Sequence, residues 1–286
     1  MKIALGSVQF GLNYGVSNVD GQVSSDEVSN ILNAAQSHHI QFIDTAVGYG
    51  NSESVLGEYL QQNPNKNFHI VTKTPPIASM SQSMSTVVDN SLKRLHCSKL
   101  YGLLLHDPSE INDEIYAQLV QLKNEEKVKK IGASVYSPEQ AFNIVDKYDI
   151  NLIQLPFNIF DQRFTTTGCL QYLKDKNIEI HSRSLFLQGL LLQPLSSLNS
   201  YFSPYYKQLQ AFHKLAKHHN CSPLALALSL IHSNESIDRF VVGVCSQQQL
   251  NDIVKSVCET ANKEIDYEHL ISTDENLINP TFWDIQ

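Results

Sequence analysis

Short apolar runs alternate along this chain with longer segments whose apolar positions recur three and four residues apart. The runs at 3–8, 41–44, 69–73, 103–105, 130–134, 152–155, 178–181 and 240–242 read as β-strands. Between them fall helical patterns. Ser24 supplies N-cap chemistry for a helix carrying Val28, Ile31, Leu32 and Ala35, and Ser52-Glu53 opens one carrying Val55, Leu56, Tyr59 and Leu60. Further helices are predicted over 84–95, 113–126, after Pro138 where proline suits a first turn, and over 168–176, 206–219 and 247–257. Alternation of this kind demands a parallel sheet, and eight strand–helix units match the (β/α)₈ TIM barrel. A doubly wound sheet would want a GxGxxG turn after an early strand, and Gly6, Gly11 and Gly15 lack that spacing. The α/β chain is therefore expected to form a single barrel domain over 1–286, with the tail from about 264 packed outside the barrel.

Composition fits that picture, with 42% hydrophobic and 17% charged residues. A formal net charge of −8 argues against a nucleic-acid surface. The one dense basic run, 127–130 after Glu125-Glu126, reads as a solvated helix end. No signal-peptide core opens the sequence, and no stretch approaches the about 18 apolar residues of a membrane span, so a cytoplasmic protein is expected. The five cysteines are scattered without metal-ligand spacing and read as reduced thiols, with no metal expected.

The informative departures from apolar patterning are Asp44, Lys73 and His106, which close three successive predicted strands, and Tyr49 in the turn five residues beyond Asp44. Charges at the ends of buried strands imply a shared mouth, and a barrel places its active site at the strand C-terminal ends. A phenol near about pH 10 is a poor acid at neutrality, and a neighbouring ammonium favours its ionised form. Asp44 would hold Lys73 charged and in place, while His106 could hydrogen-bond the oxygen that Tyr49 protonates. The protein supplies no reductant of its own, so a cofactor must. Singly, each residue has a plain reading as a helix cap, loop lysine, turn histidine or packing tyrosine.

Together, Asp44-Thr45-Ala46-Val47-Gly48-Tyr49-Gly50-Asn51-Ser52-Glu53, Val71-Thr72-Lys73 and Leu104-Leu105-His106 resemble the catalytic tetrad segments of the aldo-keto reductase superfamily. The resemblance extends through Ile131-Gly132-Ala133-Ser134, Gln154-Leu155-Pro156-Phe157-Asn158, the stretch from Arg183 to Leu191, and Val242-Gly243-Val244. It implies an NAD(P)H-dependent reductase of an aldehyde or ketone, with Tyr49 as general acid and Asp44, Lys73 and His106 as its partners. It also implies that Ser134 and Gln154 hold the nicotinamide carboxamide, that Arg183 stacks on the ring, and that backbone amides of the loop at Ser184, Leu187 and Gly189 approach the pyrophosphate. Gly243 and Gln249 fall in the adenosine-side loop.

Two departures stand out. Val135 follows Ser134 where Asn is common, and the eighth loop carries Cys245, Asp252 and Ile253 without the Lys or Arg that typically binds a 2′-phosphate. NADPH is the family default, with NADH allowed by this chain. The opening from Leu5 to Gly15 resembles a bacterial branch with some members in sugar-derivative pathways, so the substrate is expected to be a small carbonyl compound, with sugar derivatives among the candidates. Gln9, Asn13 and Tyr14 are candidate substrate contacts, or loop builders. Tyr201, Phe202, Tyr205 and Tyr206 could wall the site, and Phe160 and Arg163 could serve either ligand or structure. A cofactor-binding sensor on the same barrel is the alternative function, and a Schiff-base lyase through Lys73 a third. Oligomeric state is left open.

Overall fold

The computed structural model describes residues 1–16, 18, 20–261 and 263–285. Eight parallel strands close into a barrel in sequence order, with β8 returning to pair with β1. They are β1 Ile3–Gly6, β2 Phe42–Asp44, β3 His69–Lys73, β4 Leu100–Leu105, β5 Val128–Ser134, β6 Leu152–Pro156, β7 Glu179–Arg183 and β8 Arg239–Gly243. The described helices run α1 Val8–Gly11, α2 Ser25–Ser37, α3 Ser52–Gln62, α4 Met84–Arg94, α5 Asp113–Asn124, α6 Pro138–Lys147, α7 Arg163–Thr166 and α8 Cys169–Asp175. They continue with α9 Tyr206–His218, α10 Pro223–Leu228, α11 Leu230–Ser233, α12 Gln247–Glu259 and α13 Glu275–Ile278. None is long and apolar enough to cross a membrane.

Short polar side chains start many of these helices by accepting the first free amides. Ser24, Ser83, Asn112, Ser137, Ser222 and Ser246 each accept from the backbone N–H three residues on. Strand side chains then sort by alternation. Leu5, Ile43, Ile70, Leu103, Leu105, Ile131, Ile153, Ile180 and Val242 join one large core between sheet and helices. Val71, Leu104 and Leu152 form a separate small cluster inside the barrel. Burial on both faces explains why these strands read as continuous apolar runs.

Several boundaries differ from the sequence reading. The first strand stops at Gly6 rather than residue 8, because Val8–Gly11 turns into a single helical turn under the Tyr49 loop. A Cβ on Gly11 would lie 1.9 Å from the Tyr49 carbonyl, so only glycine permits that approach. The helices α10 and α11 were not anticipated. The run Pro-Leu-Ala-Leu-Ala-Leu is apolar on every side and has no helical contrast to read. The basic run at 127–130 is not a helix end. Val128 begins β5, Lys127 pairs with Asp89 at 2.7 Å, and Lys130 turns into the barrel to meet Glu179.

The residues after 263 form short turns, including Glu268–Leu270, α13 and Pro280–Phe282. The aromatic segment at 201–206 serves this tail rather than walling the cavity. Tyr201 donates to the Asn276 carbonyl at 2.9 Å, Tyr205 to Asp274 at 2.9 Å, and Phe202 meets Trp283 edge-on at 4.9 Å. Tyr206 is exposed. Arg163 likewise braces structure, binding Asp161 at 2.8 Å and Glu275 at 3.0 Å.

Candidate active site

At the C-terminal ends of the strands a cavity of about 560 Å³ opens. Its base carries Asp44 from β2, Lys73 from β3 and His106 just past β4, with Tyr49 reaching over from the turn after β2. Asp44 and Lys73 are 5% and 1% exposed, so this is a buried ion pair, with Nζ 2.6 Å from Asp44 Oδ1. The ammonium also donates to the Thr45 carbonyl at 3.0 Å and to Tyr49 Oη at 3.4 Å. An ammonium has three N–H donors, and all are engaged. Burial pulls the Lys73 pKa down, but the Asp44 charge and the Tyr49 oxygen outweigh it, leaving it above the ordinary lysine value. An amine held charged by Asp44 and engaged in three hydrogen bonds is a poor Schiff-base nucleophile, which argues against the lyase reading.

The other Asp44 oxygen is held from the opposite side by Gln154 Nε2 at 2.6 Å. Gln154 thus braces the ion pair, a contact that the sequence reading did not foresee. Buried hydroxyls fix the loop that carries Tyr49. Ser52 Oγ lies 2.8 Å from Ser7 Oγ and 3.1 Å from Thr45 Oγ1, and Ser7 donates to the Asp44 carbonyl at 3.0 Å. Glu53, in the first turn of α3, accepts from Thr72 at 2.7 Å and from Arg94 at 2.9 Å, locking the helix onto β3 and α4.

The His106 ring stands edge-on to Tyr49, with centroids 6.0 Å apart. Burial, then the Lys73 ammonium, lower its pKa to about 4, so the imidazole is neutral at physiological pH. A neutral imidazole beside the phenol can donate one hydrogen bond to a carbonyl oxygen without competing as an acid.

Most other expected residues also border the cavity: Gln9, Tyr14, Ser134, Gln154, Arg183, Ser184, Gly189, Gly243 and Gln249. Two do not. Asn13 is exposed outside the cavity lining, and the Leu187 side chain is fully buried in the core. The loop around Leu187 still matters. Ser184, Leu187 and Gln188 have φ of 65, 47 and 54°, a strained conformation for residues with a Cβ. Such backbones turn N–H groups toward a concave side that suits anions. Arg183 lays its guanidinium 4.3 Å from the Tyr136 ring centroid and donates to the Val135 carbonyl at 3.1 Å. Val135 contributes its backbone, since its side chain is buried. Tyr136, Gln188, Asn279, Pro280 and Thr281 are cavity residues that sequence reasoning missed. The tail triplet has no local signal, because long-range tyrosine contacts bring it there.

A model of the aldo/keto reductase family matches residues 2–269. The chain belongs to the aldo/keto reductase family. It is an NAD(P)H-dependent oxidoreductase acting on carbonyl groups. It is 26% identical to the aldo-keto reductase YhdN of Bacillus subtilis (strain 168), covering 89% of this chain and 86% of that one. It is 25% identical to a D-threo-aldose 1-dehydrogenase of Pseudomonas sp, over 64% of this chain and 67% of that one. It is 27% identical to the NADH-specific methylglyoxal reductase of Escherichia coli (strain K12), over 53% of this chain and 54% of that one.

An unpartnered buried polar atom in the cavity of this aldo/keto reductase suits a polar ligand such as the nicotinamide dinucleotide that the family uses. Gln9 Oε1 is buried there without a hydrogen-bond partner among the described residues. The Gln9 amide lies close against Gly243, where an added Cβ would come 2.6 Å from Gln9 Nε2.

Removing one half of the buried pair should be worse than removing both. Lys73→Met is expected to lower unfolding free energy by about 3–5 kcal/mol. In urea titrations the double variant Lys73→Met/Asp44→Asn should lose less than that single change, and additive losses would contradict the pairing.

His106 gives a pH signature. An unfolded histidine titrates near 6.5, so the unfolded chain takes up this proton first as pH falls. Its stabilising contribution is fully present above about 6.5 and is lost as pH falls toward about 4. NMR of the His106 ring should show a midpoint near about 4, and a midpoint near 6.5 would overturn its assigned environment.

Proposed function

We propose that this aldo/keto reductase reduces the aldehyde or ketone group of a small hydroxylated compound, with Tyr49 as proton donor. The observation that carries this reading is the direction of the Lys73 hydrogen bonds. Lys73 donates to Tyr49 Oη, so the phenol oxygen is an acceptor toward the protein and its own proton is free to point into the cavity. Asp44 and Gln154 fix the ammonium that makes this contact.

A substrate carbonyl oxygen seated between Tyr49 and His106 receives one hydrogen bond from each. The phenol proton passes to that oxygen as negative charge builds on it, and the Lys73 ammonium stabilises the phenolate left behind. Neutral His106 orients the carbonyl without donating its proton fully. When bound, the reduced dinucleotide supplies the hydride to the carbonyl carbon. Ser134 would hold its carboxamide, aided by the part of the Gln154 amide not committed to Asp44. Arg183, stiffened by Tyr136, would cover the ring, and the Ser184 to Gly189 backbone with Gly243 would hold the phosphates.

Two finer choices rest on the cavity lining. Gln9, Tyr14, Asn279 and Thr281 surround the mouth with amides and hydroxyls, which supports a polyhydroxylated, sugar-like substrate. Tyr14 is 39% exposed overall, but loss of water around its phenol on the cavity side and the nearby Tyr49 push it above its ordinary pKa, so it stays a neutral donor there. The Lys and Arg in the described lining are Lys73 and Arg183, while Cys245, Gln249, Asp252 and Ile253 line the β8–α12 end. That composition supports NADH over the NADPH that family resemblance gives as default, as in the NADH-specific relative.

Tyr49→Phe should lower kcat for carbonyl reduction by about 10²–10⁴-fold. Dinucleotide binding, followed by fluorescence quenching, should persist. Retention of full activity by this variant would refute the assignment of the proton donor.

A further inference from the structure

In the closed ring of eight strands β6 stands opposite β2, and a side chain bridges the barrel between them. Gln154 Nε2 of β6 reaches Asp44 Oδ2 of β2 at 2.6 Å. Gln154 is 1% exposed and borders the cavity. An ionised carboxylate only accepts, so the amide must present its nitrogen to Asp44. Family resemblance assigns this residue to a ligand, yet its donor is committed to the buried ion pair.

The consequence lies in the three unequal bonds of Lys73. Its Nζ is 2.6 Å from Asp44, 3.0 Å from the Thr45 carbonyl and 3.4 Å from Tyr49 Oη. The longest is the weakest, so the contact with Tyr49 responds first to any turn of the Asp44 carboxylate. Without Gln154, Oδ2 would be a buried anionic oxygen with no donor, which costs more than an ordinary hydrogen bond contributes. The carboxylate would turn both oxygens toward the ammonium, and the ammonium would follow it away from Tyr49.

We propose that Gln154 is a positioning residue for proton transfer, pinning Asp44 so that Lys73 keeps its contact with Tyr49. The inference rests on Tyr49 being the proton donor and gives that donor a support on the far wall of the barrel. Gln154 acts through Asp44 and Lys73 and touches no reacting atom. Its effect therefore belongs to the rate of the chemical step. Any contact between its Oε1 and a bound dinucleotide belongs to affinity.

Single-turnover carbonyl reduction and fluorescence quenching by dinucleotide separate the two for Gln154→Met, Asp44→Asn and the double variant. Gln154→Met should slow the single turnover about 10–100-fold, the worth of a hydrogen bond to a charged group. In Asp44→Asn the remaining oxygen goes to Lys73 and the new nitrogen faces Gln154. Adding Gln154→Met to that variant should therefore slow the rate no further. Gln154→Glu supplies a pH signature. Burial and the Asp44 charge raise the pKa of the new carboxyl, and while protonated it donates to Asp44 as the amide does. The ionisable groups around it are Asp44, Lys73, Tyr49 and His106 across the cavity, with His181 and Arg183 on β7. Measured against the unaltered protein at each pH, its rate should be close at low pH and fall toward that of Gln154→Met as pH rises.

Rate losses that multiply in the double variant would overturn the proposal. So would a Gln154→Met rate left unchanged while affinity weakens, or a Gln154→Glu rate that stays level against the unaltered protein. Each of these leaves Tyr49 as donor if Tyr49→Phe, measured alongside, is slow. Full activity in Tyr49→Phe would remove the donor reading, and this inference with it.

Discussion

The buried ion pair between Lys73 and Asp44 is the constraint on which the rest of this site depends. Removing two charges from water is costly, and close contact repays it only when every remaining donor and acceptor is satisfied. The protein meets that demand fully. The ammonium is bound by Asp44, Thr45 and Tyr49, and the second carboxylate oxygen is bound by Gln154. Any shift of β2, β3 or β6 would leave a buried charge short of a partner. The pair therefore registers three strands against one another and aims one phenol.

The barrel isolates this charged layer from a second one. At the opposite ends of the strands, Glu179 accepts from Tyr101 at 2.6 Å, meets His181 at 2.7 Å and pairs with Lys130. Burial works against the Glu179 charge, but those hydrogen bonds hold its carboxyl well below the usual range. Arg239 stacks on Phe42 at 4.1 Å beside them. Between the two layers lie Val71, Leu104 and Leu152, with Gly102 and Gly132 making room for Leu152. This apolar septum separates the Lys73–Asp44 pair from the lower charged layer.

Much of the fold was legible because barrel strands are buried on both faces and their helices carry clear caps. The tetrad residues were legible because a charge at the end of an apolar strand has few structural reasons to be there. The lower polar layer was not. Lys130 sat inside a basic run, and Glu179 and His181 merely alternated with apolar neighbours. Nor could local patterns show that Gln154 serves Asp44, across 110 residues, or that Glu27 reaches Gln247, across 220. The side chain of Leu187 is buried in the core, so only its backbone is left for the role that the resemblance implies, and Asn13 is exposed outside the cavity lining. Contacts of high sequence separation leave no periodic trace. They are where this enzyme's individuality lies.

On the proposed mechanism, what the ion pair aims is a single proton, from Tyr49 to the substrate oxygen. Single-turnover carbonyl reduction in mixtures of H₂O and D₂O measures that transfer directly. The account predicts a slowing of about twofold in D₂O that grows linearly with deuterium fraction, as for one proton in flight. A single-turnover rate indifferent to deuterium would contradict it.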